Sequence, residues 1–250
     1  MEPSEIIHIG EYFQEYTKYQ YFFTPSEMSQ GIGVPEPEKP ISASVPLIKL
    51  PDPAKSLPGR TKNLFDIIKE RRSQRDYIDQ PMTLKQLAIL LWSIQGVIEF
   101  GYGYSLRTAP SAGARHPLET YINLNRVENQ TPGLYRYSPF EHKLIQLSDN
   151  PQTSDQLAKA CLGQNIFNTC AVSFIWTAVI QRSRWKYQQR AYRYIYLDAG
   201  HVCQNLYLAC EALGLGCCAV AAFDDDAVNK ILDIDGKDEF VIYLATVGRL

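Results

Sequence analysis

Thirteen consecutive residues hold the densest chemistry in the chain. Arg182-Ser183-Arg184-Trp185-Lys186-Tyr187-Gln188-Gln189-Arg190-Ala191-Tyr192-Arg193-Tyr194 carries five cations and no acid. A lysine crowded by guanidinium groups has its ammonium form disfavoured from an ordinary pKa of about 10.4, and cations beside a tyrosine lower its pKa from about 10. Both effects turn Lys186 and Tyr187 into candidate bases near neutrality, suited to taking a proton from carbon. Lys186, Arg190 and Arg193 fall at i, i+4 and i+7, which predicts one shared face at the start of a long helix from about Lys186 to Leu213. The helix macrodipole does not favour cations at that end, so helix stability gives no reason for them. A plain basic surface is the alternative reading.

Three other stretches could hold a ligand. Glu70-Arg71-Arg72-Ser73-Gln74-Arg75 sets three guanidinium groups within five residues where a helix is expected to end. Arginine grips phosphate through paired hydrogen bonds and stays charged at any working pH, although a solvated basic turn would look the same. In Pro110-Ser111-Ala112-Gly113-Ala114-Arg115-His116-Pro117, small residues let a backbone approach a flat ligand and Ser111 offers a hydroxyl; a turn-rich loop before a strand is the alternative. Gly214-Leu215-Gly216 begins a tight turn that leads into a strand of small residues, Cys217 to Ala222.

The elements that must position these groups follow from periodicity. Asn63 caps a helix with Leu64, Ile67 and Ile68 on one face, running into Arg71. Thr83 and Gln86 form a capping box before Leu84, Leu87, Ala88, Leu91 and Ile94. Strands are expected over Thr120 to Val127, Ala171 to Ile180 and Phe240 to Val247, with a hairpin of Leu134 to Tyr137 and Leu144 to Leu147 around Ser138-Pro139. The long helix carries Ile195, Ala199, Val202, Leu206, Ala209, Cys210 and Leu213 at helical period and stops at Gly214, and Asp224 caps a short last helix. Residues 1–60 divide from residues 61–250. The first part combines an aromatic segment from Tyr12 to Phe23 with a proline-rich arm, expected to lie along the body or across a partner subunit.

Composition narrows the classes. With 45% hydrophobic and 21% charged residues, the 250-residue chain is neither disordered nor fibrous. A net charge of −2 with mixed signs gives no field to draw nucleic acid or an anionic membrane. The six cysteines include no CxxC pair, and Cys217 and Cys218 are adjacent, so buried reduced thiols are expected rather than zinc or a disulfide framework. His8, His116 and His142 show no metal-ligand spacing. Neither a signal peptide nor an apolar run of roughly 18 residues is evident, and a cytoplasmic location is expected.

In this order and spacing, the Arg71-Arg72-Ser73-Gln74-Arg75 segment, the Pro110-Ser111-Ala112-Gly113 loop and the Gly214-Leu215-Gly216 turn resemble the nitroreductase family of flavoenzymes, over residues 63–250. The resemblance implies an α+β fold: a central mixed or antiparallel sheet flanked by helices, with a long helix in the core or at a dimer interface. It implies FMN bound at the interface of a homodimer. Arg71, Arg72, Ser73 and Arg75 would hold the phosphate and pyrimidine edge, Pro110, Ser111 and Gly113 would lie on the ring, Val220 and Ala221 would approach from the other strand, and Arg249 would supply a terminal cation for the phosphate. Many members carry asparagine where this chain has Ala114.

Trp185-Lys186-Tyr187, Arg190 to Tyr194, Asp198-Ala199-Gly200-His201, Phe223-Asp224-Asp225-Asp226 and the Phe13 to Tyr19 segment resemble a narrower branch, the SagB-type dehydrogenases. That branch includes azoline oxidases of ribosomal-peptide pathways, in which a Lys-Tyr pair matching Lys186 and Tyr187 is implicated in catalysis. The resemblance implies that one of the pair removes the α-proton of a thiazoline or oxazoline while hydride passes to FMN, which oxygen then reoxidises; a cyclodehydratase complex is a possible partner. His201 is a candidate for packing at the interface or the flavin, and a satisfied helical histidine is the alternative. Two competing readings stand beside this one: an NAD(P)H-dependent nitro or quinone reductase, and a flavin-binding subunit without turnover that supports a peptide-modifying complex.

Overall fold

The computed structural model describes residues 8–57, 59, 62–101 and 103–250. Seven strands form one sheet: β1 (Leu47–Lys49), β4 (Leu118–Leu124), β5 (Gly133–Ser138), β6 (Lys143–Ser148), β7 (Val172–Val179), β8 (Leu215–Val220) and β9 (Glu239–Arg249). Their spatial order is β1-β6-β5-β4-β7-β9-β8, with every neighbour antiparallel. β7 is an interior strand between β4 and β9, and its two apolar sets diverge as alternation requires. Phe174, Trp176 and Ala178 enter one core, while Ile175 enters the other.

The first core is closed by α4 (Leu84–Gln95) and α8 (Ala191–Ala212), which contribute Leu87, Leu91, Ile94, Ile195, Val202 and Leu206. The second is closed by α5 (Thr153–Ala160), α6 (Ile166–Thr169) and α9 (Asp225–Leu232) through Leu157, Phe167, Val228 and Leu232. Helices on both sides of an antiparallel sheet make the expected α+β architecture. The Thr83 capping box forms, and Asp224 caps α9 through Ala227 N. The Ser138-Pro139 hairpin forms as β5 and β6, and all six cysteines are buried and free. Sequence periodicity did not reveal the hairpin of β2 (Val97–Gly101) and β3 (Tyr104–Arg107), β1 at the end of the proline-rich arm, or helices α5 and α6.

In α3 (Leu64–Glu70), capped by Asn63, Ile67 is buried while Leu64 and Ile68 are exposed. One expectation is corrected. The long helix does not begin at Lys186. A short α7 (Gln181–Tyr187) ends there, one turn of 3₁₀ helix follows, and α8 starts at Ala191. Gln188 takes a φ of 51°, which breaks the helical ladder. Its side-chain amide donates to Thr24 O at 2.6 Å, and Met28 N donates to Trp185 O at 3.0 Å, so contacts with the amino-terminal arm reward the break. Lys186 therefore sits in the last turn of a helix, the end where the macrodipole favours a cation, and does not share a face with Arg190 and Arg193.

The proline-rich stretch follows its own chain's body. Its carbonyls are taken by buried or half-buried arginines: Arg182 Nε donates to Glu36 O at 2.9 Å, Arg107 to Pro37 O at 3.3 Å, and Arg136 to Lys39 O at 3.0 Å and Pro40 O at 2.8 Å. Beneath it, the buried carboxylate of Glu119 accepts from Arg182 at 2.5 Å, Arg136 at 3.3 Å and Lys39 N at 3.0 Å. Prolines leave carbonyls without a local ladder, and the arginines satisfy them.

Candidate active site

One group of candidate residues gathers around β8. Ser73 bridges Cys217 in parallel, with Gln74 N donating to Cys217 O at 2.9 Å, and Ile78 N donates to Arg249 O at 3.0 Å. Tyr207 of α8 ties the group together: its hydroxyl lies 3.0 Å from Ser73 Oγ and accepts from Ala219 N at 2.8 Å, and Arg71 sits 5.1 Å over its ring. Gly216 is required by this packing, since a Cβ there would press on Gln74, Tyr77 and Leu250. Among the described residues, Arg71, Arg75 and Arg249 enter no salt bridge. Arg72 stands apart. Its guanidinium donates to Lys69 O and Arg71 O, finishing its own helix. Val220 directs its side chain into the second core, and Ala221 follows exposed beyond the strand.

The other group lies at the opposite end of α8. Asp198, buried on the stripe of Ile195, Ala199 and Val202, accepts from Ser111 Oγ at 2.6 Å and Ala112 N at 3.1 Å. Ser111 Oγ in turn accepts from His116 N at 2.9 Å. The serine hydroxyl therefore fastens its loop rather than projecting free. Burial pushes the Asp198 carboxyl up, against the pull of these hydrogen bonds. Burial, with Arg107, brings His116 down to about 3, so the imidazole stays neutral, bonded to Ser105 O at 2.9 Å.

Gly113 is the meeting point of the loop with Lys186 and Tyr187. It holds a φ of 61°, and a Cβ there would collide with the Tyr187 hydroxyl and press on Lys186 Nζ. Lys186 Nζ lies 5.4 Å from the Tyr187 ring centroid. A lysine and a phenol thus converge on an exposed glycine beside Pro110. The expected lowering of the tyrosine is overturned: burial raises the Tyr187 phenol, Tyr194 and Tyr19 add to it, and Arg115 opposes only in part. Tyr187 is a phenol at neutral pH and can donate a hydrogen bond.

The arginines of this segment are not a bare surface. Arg182 is buried against Glu119, Arg115 stacks 4.9 Å over Trp185, and Arg190 donates to Thr17 O at 2.7 Å and to Tyr194 Oη at 2.9 Å. Arg193 donates to Thr17 Oγ1 and Gln14 O. His201 is exposed on α8. Asp198 and Tyr207 were missed as organisers of the two groups. Asp198 had a readable signal, an acid on an otherwise apolar helical stripe, whereas nothing local distinguishes Tyr207 from the other 15 tyrosines of a chain with 16.

The model of the nitroreductase family matches residues 68–249. A protein named as a nitroreductase, MJ1384 of Methanocaldococcus jannaschii, is 37% identical over 187 residues, which is 74% of this chain and 90% of MJ1384. The trifolitoxin-processing protein TfxB of Rhizobium leguminosarum bv. trifolii is 30% identical over 60% of this chain and 42% of its own length; the microcin B17-processing protein McbC of Escherichia coli is 22% identical over 52% of this chain and 50% of its own. The chain thus matches half or less of the length of these two processing proteins. Among solved structures, one from Anabaena variabilis described as a nitroreductase superposes with a TM-score of 0.75 at 27% identity, covering 96% of this chain and 46% of that one. The E. coli microcin synthetase McbBCD complex with truncated pro-MccB17 superposes with a TM-score of 0.61 at 18% identity, over 100% of this chain and 94% of that one, a likeness of fold.

Proposed function

Because the chain belongs to the nitroreductase family, we propose that it is an FMN-dependent dehydrogenase that oxidises peptide thiazoline or oxazoline rings to azoles. The observation that carries this reading is the convergence of Lys186 and Tyr187 on Gly113. Reducing a nitro group does not require a base aimed at a carbon acid, whereas removing an α-proton does. The raised Tyr187 favours Lys186 as the proton acceptor and the Tyr187 phenol as a donor that orients the ring.

The residues present fit FMN. Arg71, Arg75 and Arg249, without salt bridges among the described residues, together with the Ser73 hydroxyl form a donor set for a phosphate and for the anionic pyrimidine edge. Bound there, FMN would supply the two-electron acceptor for the hydride. Pro110 and Gly113 would face the ring, and Ser111 would hold that loop through Asp198. Asp198 and Tyr207 are nine residues apart on α8, about 13 Å along the axis and half a turn around it. The two groups therefore face opposite ways, which supports a homodimer in which each flavin is shared between subunits. The exposed Leu64, Phe65 and Ile68 of α3 give such a dimer apolar surface to cover. The relation to trifolitoxin and microcin processing proteins supports a peptide substrate, and a cyclodehydratase, which would form the azoline, is the partner this reading calls for.

The test is turnover of an azoline peptide by FMN-loaded protein, followed by the absorbance of the azole. Lys186→Ala should lower the rate by about 10²- to 10⁴-fold while leaving flavin content intact. Equal rates with and without the lysine would remove the assigned base. The 37% identity to MJ1384 favours a second reading, an NAD(P)H-dependent nitro or quinone reductase. Under that reading a nitroaromatic would be consumed with NAD(P)H, and Lys186→Ala would be silent.

A further inference from the structure

The amino-terminal segment touches the Lys186–Tyr187 pair through one tyrosine. The hydroxyls of Tyr19 and Tyr194 are hydrogen-bonded at 2.6 Å, across 175 positions of sequence. Tyr194 meets the Tyr187 ring edge-on, with centroids 4.8 Å apart and planes at 77°. Arg190 closes the arrangement. Its guanidinium lies 4.2 Å over the Tyr19 ring while its Nε donates to Tyr194 Oη at 2.9 Å. Tyr187 is thereby fixed on one side by Tyr194 and limited on the other by Gly113.

Hydrophobic burial does not explain why the segment sits there. Tyr12, Tyr16, Tyr19 and Phe23 remain 41%, 59%, 65% and 85% exposed, and helix α1 (Ile9–Tyr16) has no buried residue. Polar clamps from the chemical segment hold it instead: Arg190 on Thr17 O, Arg193 on Thr17 Oγ1 and Gln14 O, and Gln188 on Thr24 O. The cations that crowd Lys186 in sequence reach outward to grip this cover. A segment secured at the site and little elsewhere has its effect at the site.

We propose that Tyr19 is a positioning residue of the Lys186–Tyr187 site, acting through Tyr194 to hold the Tyr187 ring against the Gly113 loop. The proposal rests on the reading of Lys186 and Tyr187 as the chemical pair. Loss of the Tyr19 hydroxyl leaves Tyr194 with Arg190 alone, and the Tyr187 ring gains freedom to turn from Gly113. Tyr19 itself does no chemistry. The Arg190 stack and the Thr17 clamp do not need its hydroxyl, so Tyr19→Phe keeps the segment docked while cutting the hydroxyl link.

The test uses the full-length, FMN-loaded protein with tyrosine labelled at ¹³Cζ, the Tyr187 signal being assigned with Tyr187→Phe. In Tyr19→Phe the Tyr187 signal should shift and its titration midpoint should fall, because one neighbour that raises the phenol is gone. Arg190→Ala, which frees the segment, should move the same signal at least as far. Tyr12→Phe, on the exposed side of α1, should leave it unmoved. With azoline peptide, Tyr19→Phe should lower kcat about tenfold, the worth of one hydrogen bond, with KM and melting temperature those of the parent. A Tyr187 signal identical in parent and Tyr19→Phe overturns the proposal, whether or not azolines are turned over. A parent inert to azolines whose Tyr187 signal still follows Tyr19 defeats the azoline reading and leaves the positioning role standing.

Discussion

Two groups of arginines lie in this chain with opposite fates. Around β8, Arg71, Arg75 and Arg249 stand partly or fully exposed, without salt bridges among the described residues. Between Arg182 and Arg193, three of the four arginines are occupied by the protein itself: Glu119 and Glu36 O for Arg182, Thr17 O and two tyrosines for Arg190, Thr17 and Gln14 O for Arg193. A guanidinium has five donors in a fixed fork. Where carbonyls and carboxylates of the same chain take that fork, arginine is scaffold. Where nothing takes it, the fork remains available to an anion. The same residue type therefore builds a frame in one region and a candidate binding surface in the other.

The comparison is open to attack at its firmest point. Arg182→Ala leaves the buried Glu119 with a weakened set of partners and should destabilise the fold by about 3 to 5 kcal/mol, read by urea denaturation. Arg71→Ala should change stability by less than about 0.5 kcal/mol. Reversed magnitudes would dissolve the distinction between frame and surface.

Acid should strike the framed region next. His116 has a folded pKa lowered to about 3, caused first by burial and then by Arg107. Its neutral form is favoured by the fold, so its contribution is fully present above the unfolded value of about 6.5 and is lost as pH falls through the folded value. Over that window the loss should be about 5 kcal/mol, and His116→Gln should flatten the dependence. A parent as stable at pH 4 as at pH 7 would show that the imidazole is not held neutral.

The smallest of these effects concerns the open region. Arg71→Ala should weaken FMN binding by about tenfold to a hundredfold, the worth of a charge-assisted hydrogen bond, measured by quenching of flavin fluorescence. Arg72→Ala should weaken it less, because Arg72 already donates to Lys69 O and Arg71 O. Equal losses would return Arg72 to the phosphate set expected from its sequence.

Much of the fold was legible because its signals are local. The Thr83-Gln86 capping box, the Asn63 and Asp224 caps, the Ser138-Pro139 turn and the doubly apolar β7 each depend on neighbours within a few positions. What misled was also local reasoning. Helical spacing joined Lys186 to Arg190 and Arg193, but the left-handed Gln188 separates them for the sake of contacts with Thr24 and Met28. Cations near Tyr187 in sequence promised a lowered phenol, yet burial and the neighbouring Tyr194 and Tyr19 outweigh Arg115, the cation that counters them in space.

The sequence by itself determined which side chains are available: the arginines of the Arg71–Arg75 stretch, the small-residue loop at Gly113, and the adjacent Lys186 and Tyr187. Residue type and short-range spacing are written along the chain, and so they can be read there. Tertiary structure alone decided what each of them meets. Asp198 holds the loop by Ser111, Tyr207 gathers Arg71 and Ser73 at β8, and Tyr19 reaches Tyr194 from 175 positions away. Hydrogen bonds and desolvation depend on distances across the sheet and α8. Those distances exist only once the two cores have closed.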